Sequence, residues 1–193
     1  MASRLNATGT IHFKGCAMFR HRIVAATLAG RTIRITDIRA GSDAPGLRDF
    51  EASFLRLVEK VTNGCVIEIN DTGTKLRYKP GMITGGAGIE HDCGKSRGIG
   101  WFLEGLLPLA PFAKQPIAIQ LKGLTNEETG LSVDYMRTVT LPLLKHFGLS
   151  EGLELRVNKR GARPDAGGQV VFRCPVVKAL KPVELLNQGQ VRR

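Results

Sequence analysis

At 193 residues with an ordinary 42% hydrophobic share, the chain is long enough to bury a sizeable core in one or two domains. Its 28 Lys and Arg against 17 Asp and Glu leave a net charge of +11, which points to an anionic partner, nucleic acid first; the alternative is that basicity accompanies a protein partner or a crowded ribonucleoprotein setting. No segment is long and apolar enough for a membrane-spanning helix, and the opening MASRLNATGTIHFKG has no apolar signal core.

In chain order, residues up to about Gly15 predict a short strand and a glycine turn. Residues 16–29 follow as a helix with Phe19, Ile23, Ala26 and Leu28 inward, ended by Gly30. The stretch 33–64 then reads as a strand, a Gly/Pro turn and an amphipathic helix. Ile33, Ile35 and Ile38 suit a half-buried strand, Asp43 is placed to cap the helix, and Pro45 suits its first turn. Leu47, Phe50, Phe54, Leu57, Val58 and Val61 fall on one helical face, and Gly64 supplies a left-handed C-terminal residue. Residues 66–70 and 75–79 form a hairpin around Asp71-Thr72-Gly73, stopped by Pro80-Gly81. Residues 1–81 therefore spell βαβαββ.

The same grammar returns. Residues 83–91 predict a strand and loop with Gly85-Gly86 and Gly88, followed by a helix over 97–113 whose Trp101, Phe102, Leu103, Leu106, Leu107 and Leu109 bury it on several sides. Pro108 and Pro111 limit its end. Ile117 and Ile119 repeat Ile33 and Ile35, and Gly148 repeats Gly64, at one common offset. The helix face Val133, Met136, Thr140, Leu144 and Phe147 lags slightly behind it, and Pro142 inside that helix should kink it or force a local adjustment. Strands over 153–157 and 170–174 flank a basic, glycine-rich loop at 158–168. The expected organisation is an α/β (α+β) chain of two βαβαββ repeats, 1–81 and 82–175, packed together, with 176–193 as a linker. We expect the chain to be the first part of a longer protein.

Sites of chemistry are few. Gly94-Lys95-Ser96 lacks the upstream spacing of a phosphate-binding GxxxxGK[ST] loop. His91 and Cys93 share a strand face, but nothing in the sequence supplies an orienting partner, so a polar helix-entry loop is the better reading. His12, His21 and His146 are isolated, and Cys16, Cys65, Cys93 and Cys174 form no CxxC pair, a pattern that fits a reduced intracellular setting and offers no metal site. The informative residues are basic: Arg20 and Arg22 near a helix start, Arg39 and Arg48 flanking the first Gly/Pro turn, Lys95 and Arg97 in the loop before the apolar helix, and Lys159, Arg160 and Arg163 in the glycine-rich loop. Arginine forks and loop N–H groups suit phosphate. With only 6% aromatic residues, mostly on apolar faces, a base-stacking platform is not supported.

Arg39-Ala40-Gly41, Pro45-Gly46-Leu47, Pro80-Gly81 with Gly85-Gly86, and Arg160-Gly161 with Pro164 and Gly167-Gly168 resemble the RNA 3′-terminal phosphate cyclase superfamily over essentially the whole chain. The run from Pro45 to Phe54, with Glu90-His91-Asp92-Cys93 and Arg97-Gly98-Ile99-Gly100, is similar to its eukaryotic cyclase-like branch. The resemblance implies βαβαββ repeats, with further repeats and a small insert domain later in the family's chain. True cyclases adenylylate a histidine near their C-terminus with ATP, at a place beyond residue 193, and carry a glutamate and a glutamine in the N-terminal loop. Here Phe13 stands for the glutamate and Ala17 for the glutamine, while Arg20 matches. Loss of those polar groups argues against cyclase activity. The branch implies a nucleolar factor of the small-subunit processome that supports early pre-rRNA cleavage and 40S assembly, contacts RNA and a large GTPase assembly factor, and needs no cofactor in this portion. The runner-up is an active enzyme, an ATP-dependent cyclase or a pre-rRNA endonuclease, with its cutting residues in the later portion.

Overall fold

The computed structural model describes residues 9–184 and 186. β1 (Ile11–Lys14) leads to α1 (Phe19–Ala29), β2 (Ile33–Thr36), α2 (Asp49–Val61), a two-residue β3 (Thr62–Asn63), and the hairpin strands β4 (Val66–Ile69) and β5 (Leu76–Lys79). After a two-residue β6 (Met82–Ile83) the pattern restarts with β7 (Gly86–Asp92), α3 (Ile99–Leu106) and β8 (Ile117–Gly123). It continues through α4 (Val133–Tyr135) and α5 (Leu141–His146) to the hairpin β9 (Glu154–Lys159) and β10 (Gly168–Cys174).

The two halves build the same sheet. Strand order is β1-β2-β5-β4 in one and β7-β8-β10-β9 in the other. In each, the first pair is parallel and the remaining pairs antiparallel. A parallel pair needs a crossover, which α1 and α3 provide, and the antiparallel strands close as hairpins. The tandem βαβαββ reading therefore holds, and β3 pairs with β6 between the units. Strand alternation sets the faces: Ile117, Ile119 and Leu121 point into the core while Ala118, Gln120 and Lys122 alternate with them.

The helices of both units share one core. Phe54 of α2 is fully buried and meets Trp101 and Phe102 of α3 at ring-centroid distances of 5.5 and 6.5 Å. Gly105 of α3 makes this possible, because a Cβ there would lie 2.4 Å from the Phe54 ring. Arg20 of α1 crosses the same junction, with Nη1 2.9 Å from Glu104 and donating to the Trp101 carbonyl at 2.6 Å.

Several expectations shift. α2 begins at Asp49, not near Asp43 and Pro45, which lie in the preceding loop; Arg48 is its extended N-cap residue, and Glu51 accepts from the Arg48 backbone N–H at 2.8 Å. That carboxylate does the work assigned to Asp43. The 37–48 loop is held off helical geometry by Ile38 N–H donating to Thr74, Leu47 N–H donating to Gly73, and a left-handed Gly46 whose Cβ would strike the Thr72 carbonyl. Gly64 is left-handed, but it turns the chain between β3 and β4 because α2 runs straight into β3. Leu28 is 46% exposed and faces away from the core. The 97–113 helix is α3 followed by a short 3-10 turn at Ala110–Phe112.

Pro142 has the expected effect on the second unit's helix. The segment Met136–Thr140 widens to a π-helix immediately before α5, and Pro142, which has no N–H to give to the preceding turn, sits just after it in the first turn of α5. Beyond β10 the chain folds back on the second unit, Val177 N–H donating to Pro111 and Lys181 N–H to Phe147. The rest of the expected first segment (1–8) and linker (185 and 187–193) lies outside the described residues.

Candidate nucleic-acid interface

The parallel strands of each sheet release their loops at one end. Ser53 in α2 bonds the His91 ring at 3.0 Å and the Asp92 carbonyl at 3.3 Å, and this contact joins the loop ends of the two units. A cleft of about 570 Å³ follows between the start of α2 (Asp49, Ser53) and the 92–96 loop. Lys95 also lines a neighbouring cleft of about 360 Å³ against Lys122 and the 165–169 turn. All nine predicted basic residues lie on or next to the loops that leave β1, β2, β7 and β9, or on the first turns of the helix that follows.

Few of the nine present a free charge. Arg39 makes two parallel bonds to Glu51, at 2.7 and 2.8 Å, and a third to the Gly46 carbonyl at 3.0 Å. Those bonds raise the Arg39 pKa, hydrogen bonding first and the Glu51 charge after it. Arg20 is buried in the Glu104–Trp101 contact, and desolvation pulls its pKa down although Glu104 opposes. Arg22 stacks on Phe13 at 4.6 Å and donates to the Gly15 carbonyl at 2.8 Å. Arg97 lies over Phe50 and Trp101, donates to Thr129 at 2.7 Å and approaches the buried Glu127. Arg160 grips Asp134 with both terminal nitrogens, which raises the arginine pKa and lowers that of the carboxyl. Arg163 donates to the Ser96 carbonyl at 3.2 Å. Of the nine, Arg48, Lys95, Lys159 and Arg163 are exposed with no carboxylate on their head groups among the described residues, and Arg163 spends one N–H on the Ser96 carbonyl. These internal pairings are invisible in a list of basic residues, because each partner is remote in sequence or on the far side of a turn.

The 13–18 segment carries no carboxylate or amide side chain. Phe13 is partly buried on β1 under the Arg22 guanidinium, Ala17 is exposed, and Met18 takes a left-handed backbone at φ 53. Among the described residues no group of three or more His, Cys, Asp or Glu side chains could hold a metal ion.

The His91 and Cys93 pair is likewise no nucleophile and base. Cys93 is 2% exposed and burial pushes its thiol far up, so it stays protonated. His91 meets Ser53 instead, a partner the sequence did not indicate because α2 and β7 are far apart in the chain. Burial lowers the His91 pKa from 6.5 to about 4, with Lys60 and Arg56 adding to it and Asp92 opposing. The folded protein thus resists a proton that the unfolded chain accepts below about 6.5. Stability should fall as pH drops from about 6.5 to about 4, by up to roughly 3 kcal/mol. Urea midpoints across that range should be flatter for His91→Gln than for the parent protein; parallel profiles would contradict the assignment.

A duplicated α/β scaffold with glycine-rich basic loops gathered at one end defines a tandem-repeat α/β protein. The family model described as RNA 3′-terminal phosphate cyclase matches residues 11–190, and the chain belongs to that family. Within it, the chain is 54% identical over 183 residues to a probable RNA 3′-terminal phosphate cyclase-like protein of Dictyostelium discoideum, covering 95% of this chain and 49% of that protein. It is 52% identical over 185 residues to the human RNA 3′-terminal phosphate cyclase-like protein, with the same coverage of 95% and 49%. The rRNA processing protein rcl1 of Schizosaccharomyces pombe is 48% identical over 190 residues, covering 97% of this chain and 52% of that protein. The chain spans about half the length of the curated relatives it matches.

Proposed function

We propose that the protein is an rRNA-processing factor of the cyclase-like branch that binds RNA and has given up cyclase chemistry. One observation carries the reading: the 13–18 loop holds Phe13 and Ala17 where the family's cyclases have a glutamate and a glutamine, and the Arg22 guanidinium covers the Phe13 ring. Phosphoryl and nucleotidyl transfer depend on positioned polar groups and charge, and an aromatic ring supplies neither. The basic loops persist, and the relative named rRNA processing protein rcl1 gives the substrate class. In this reading residues 1–81 and 82–175 are two repeats acting as one binding unit.

The finer reading places the whole protein in the nucleolus, in the small-subunit processome, supporting early pre-rRNA cleavage and 40S assembly with a GTPase assembly factor as a protein partner. Arg48, Lys95, Lys159 at the end of β9, and Arg163 are the residues whose exposed head groups fit RNA phosphates. Affinity recovery of the tagged full-length protein from cells tests this. Pre-rRNA and processome proteins should be enriched over an untagged control; recovery of neither would reject the role.

A further inference from the structure

The two sheets have the same topology but different outer surfaces. In the first unit Phe13, Ile33, Ile35, Leu76 and Tyr78 face inward, with the exposed Ile11 on the same side at the strand start, so the alternate residues face out. Those are His12 and Lys14 on β1, Arg34 and Thr36 on β2, Arg77 and Lys79 on β5, and Val66 and Glu68 on β4. All are exposed except the half-buried Thr36.

Register makes this face a grid of cations. His12 stands opposite Arg34, Arg34 opposite Arg77, and Arg77 opposite Glu68. Neighbouring strands put such side chains about 5 Å apart. Glu68 pairs with Arg77 at 2.8 Å, and Asp37 approaches Lys14 at 3.4 Å from the loop. Among the described residues no carboxylate pairs with Arg34 or Lys79. Two arginines directly across an antiparallel pair repel each other, so the arrangement costs stability unless an anion joins them.

The second sheet serves as an internal comparison. On its outer face Lys122 pairs with Glu90 at 2.8 Å and Arg173 with Glu154 at 3.2 Å, with Asp92 at the loop end. Positive charge is largely answered there. Among the described residues the second sheet leaves Arg156 without a carboxylate and the first leaves Arg34 and Lys79, so the first face carries the denser unanswered charge.

We propose that the outer face of the first sheet binds the phosphate backbone of RNA, with Arg34 and Lys79 as the main contacts, Arg77 beside them in its exposed pair with Glu68, and Lys14 linking the face to the loop end. The face matters in this way only if the protein binds RNA, as proposed above. A protein partner fits less well, since interface cores are apolar or aromatic and depleted of Lys, and this face offers Val66 alone. Its described residues include no Phe, Trp or Tyr and one imidazole, His12, so contacts go mainly to phosphates rather than stacked bases, and binding is tolerant of sequence and steep in salt.

The test is fluorescence anisotropy of a fluorescein-labelled, single-stranded RNA of mixed sequence, titrated with the full chain at several salt concentrations. In Arg34→Gln/Arg77→Gln/Lys79→Gln, affinity should drop about tenfold or more, and the log–log salt slope should become shallower by about two. Arg156→Gln/Arg173→Gln on the second sheet should stay within about twofold of the parent. Circular dichroism should show the triple variant folded, because removing Arg34 relieves repulsion; the single Arg34→Gln variant, with a smaller loss of affinity, guards against misfolding of the triple. Unchanged RNA binding by the folded triple variant would overturn the assignment. If Arg48→Gln/Lys95→Gln/Lys159→Gln alone loses binding, RNA binding stands and this face falls. Loss of polyglutamate binding with RNA binding intact would make it an acidic-protein surface and also overturn it. No RNA binding by the parent protein at low salt would reject both this face and the RNA-binding role.

Discussion

Replacing Arg39 with glutamine lowers folding stability by about 3 kcal/mol, at the low end expected for breaking a buried ion pair. Glu51 has only 4% of its side chain exposed, and three N–H donors hold its carboxylate: two from Arg39 and one from the Arg48 backbone. Removing the guanidinium strands a buried charge with one donor. The loss reaches beyond the pair. Arg39 has a left-handed backbone at φ 49, and its Nη1 also binds the Gly46 carbonyl, so the 37–48 loop and the start of α2 loosen together. Urea unfolding of Arg39→Gln, Glu51→Gln and the double variant should show a coupling energy of about 1–3 kcal/mol, with the double variant more stable than Arg39→Gln alone. RNA affinity of the folded Arg39→Gln protein should match the parent. A stable variant with weakened RNA binding would return Arg39 to the phosphate contacts that its sequence position suggests.

Truncating Phe54 to alanine should cost about 3–5 kcal/mol, the range for deleting a buried aromatic ring. The ring is fully buried, lies edge-on to Trp101 at 75° between planes, and occupies the space left by Gly105. It belongs to the first unit and its neighbours to the second, so the cavity opens between the repeats. Both sheets should therefore unfold in one transition at a lower midpoint, whether followed by Trp101 fluorescence or by far-ultraviolet circular dichroism. The converse change, Gly105→Ala, gains helix propensity worth up to about 1 kcal/mol but drives a methyl into a ring that cannot retreat, at a cost of about 1–3 kcal/mol. The variant should be destabilised on balance. Separate transitions for the two units would show that they fold independently.

Much of the fold could be read in the residues because periodicity and turn chemistry are local. Alternation at Ile33 and Ile35, repeated at Ile117 and Ile119, placed the second strand of each unit; Gly30 and Gly73 marked a helix end and a hairpin; Pro142 announced a disturbed helix. The misplaced start of α2 has a tertiary cause. Asp43 and Pro45 form a good local signal, but backbone bonds to Gly73 and Thr74, together with Glu51, fix the start later. Two-residue strands such as β3 and β6 leave no periodicity to read.

The site was harder to read than the fold, because charge alone does not say where a side chain is spent. Arg39 and Arg160 sit in motif positions yet close ion pairs with Glu51 and Asp134. Arg34 and Arg77 belong to no motif, and only strand register sets them side by side. Alternation along β2 and β5 was the available signal, and it becomes meaningful once the pairing between the strands is known.

The most direct measurement is a covalent one. Full-length protein incubated with ATP labelled at its α-phosphate, then denatured and resolved by electrophoresis, should carry no label, while an authentic RNA cyclase run alongside does. Nucleotide bound through a bond that survives denaturation would contradict the account, showing that a Phe13 and Ala17 loop still supports the chemistry this scaffold is held to have lost.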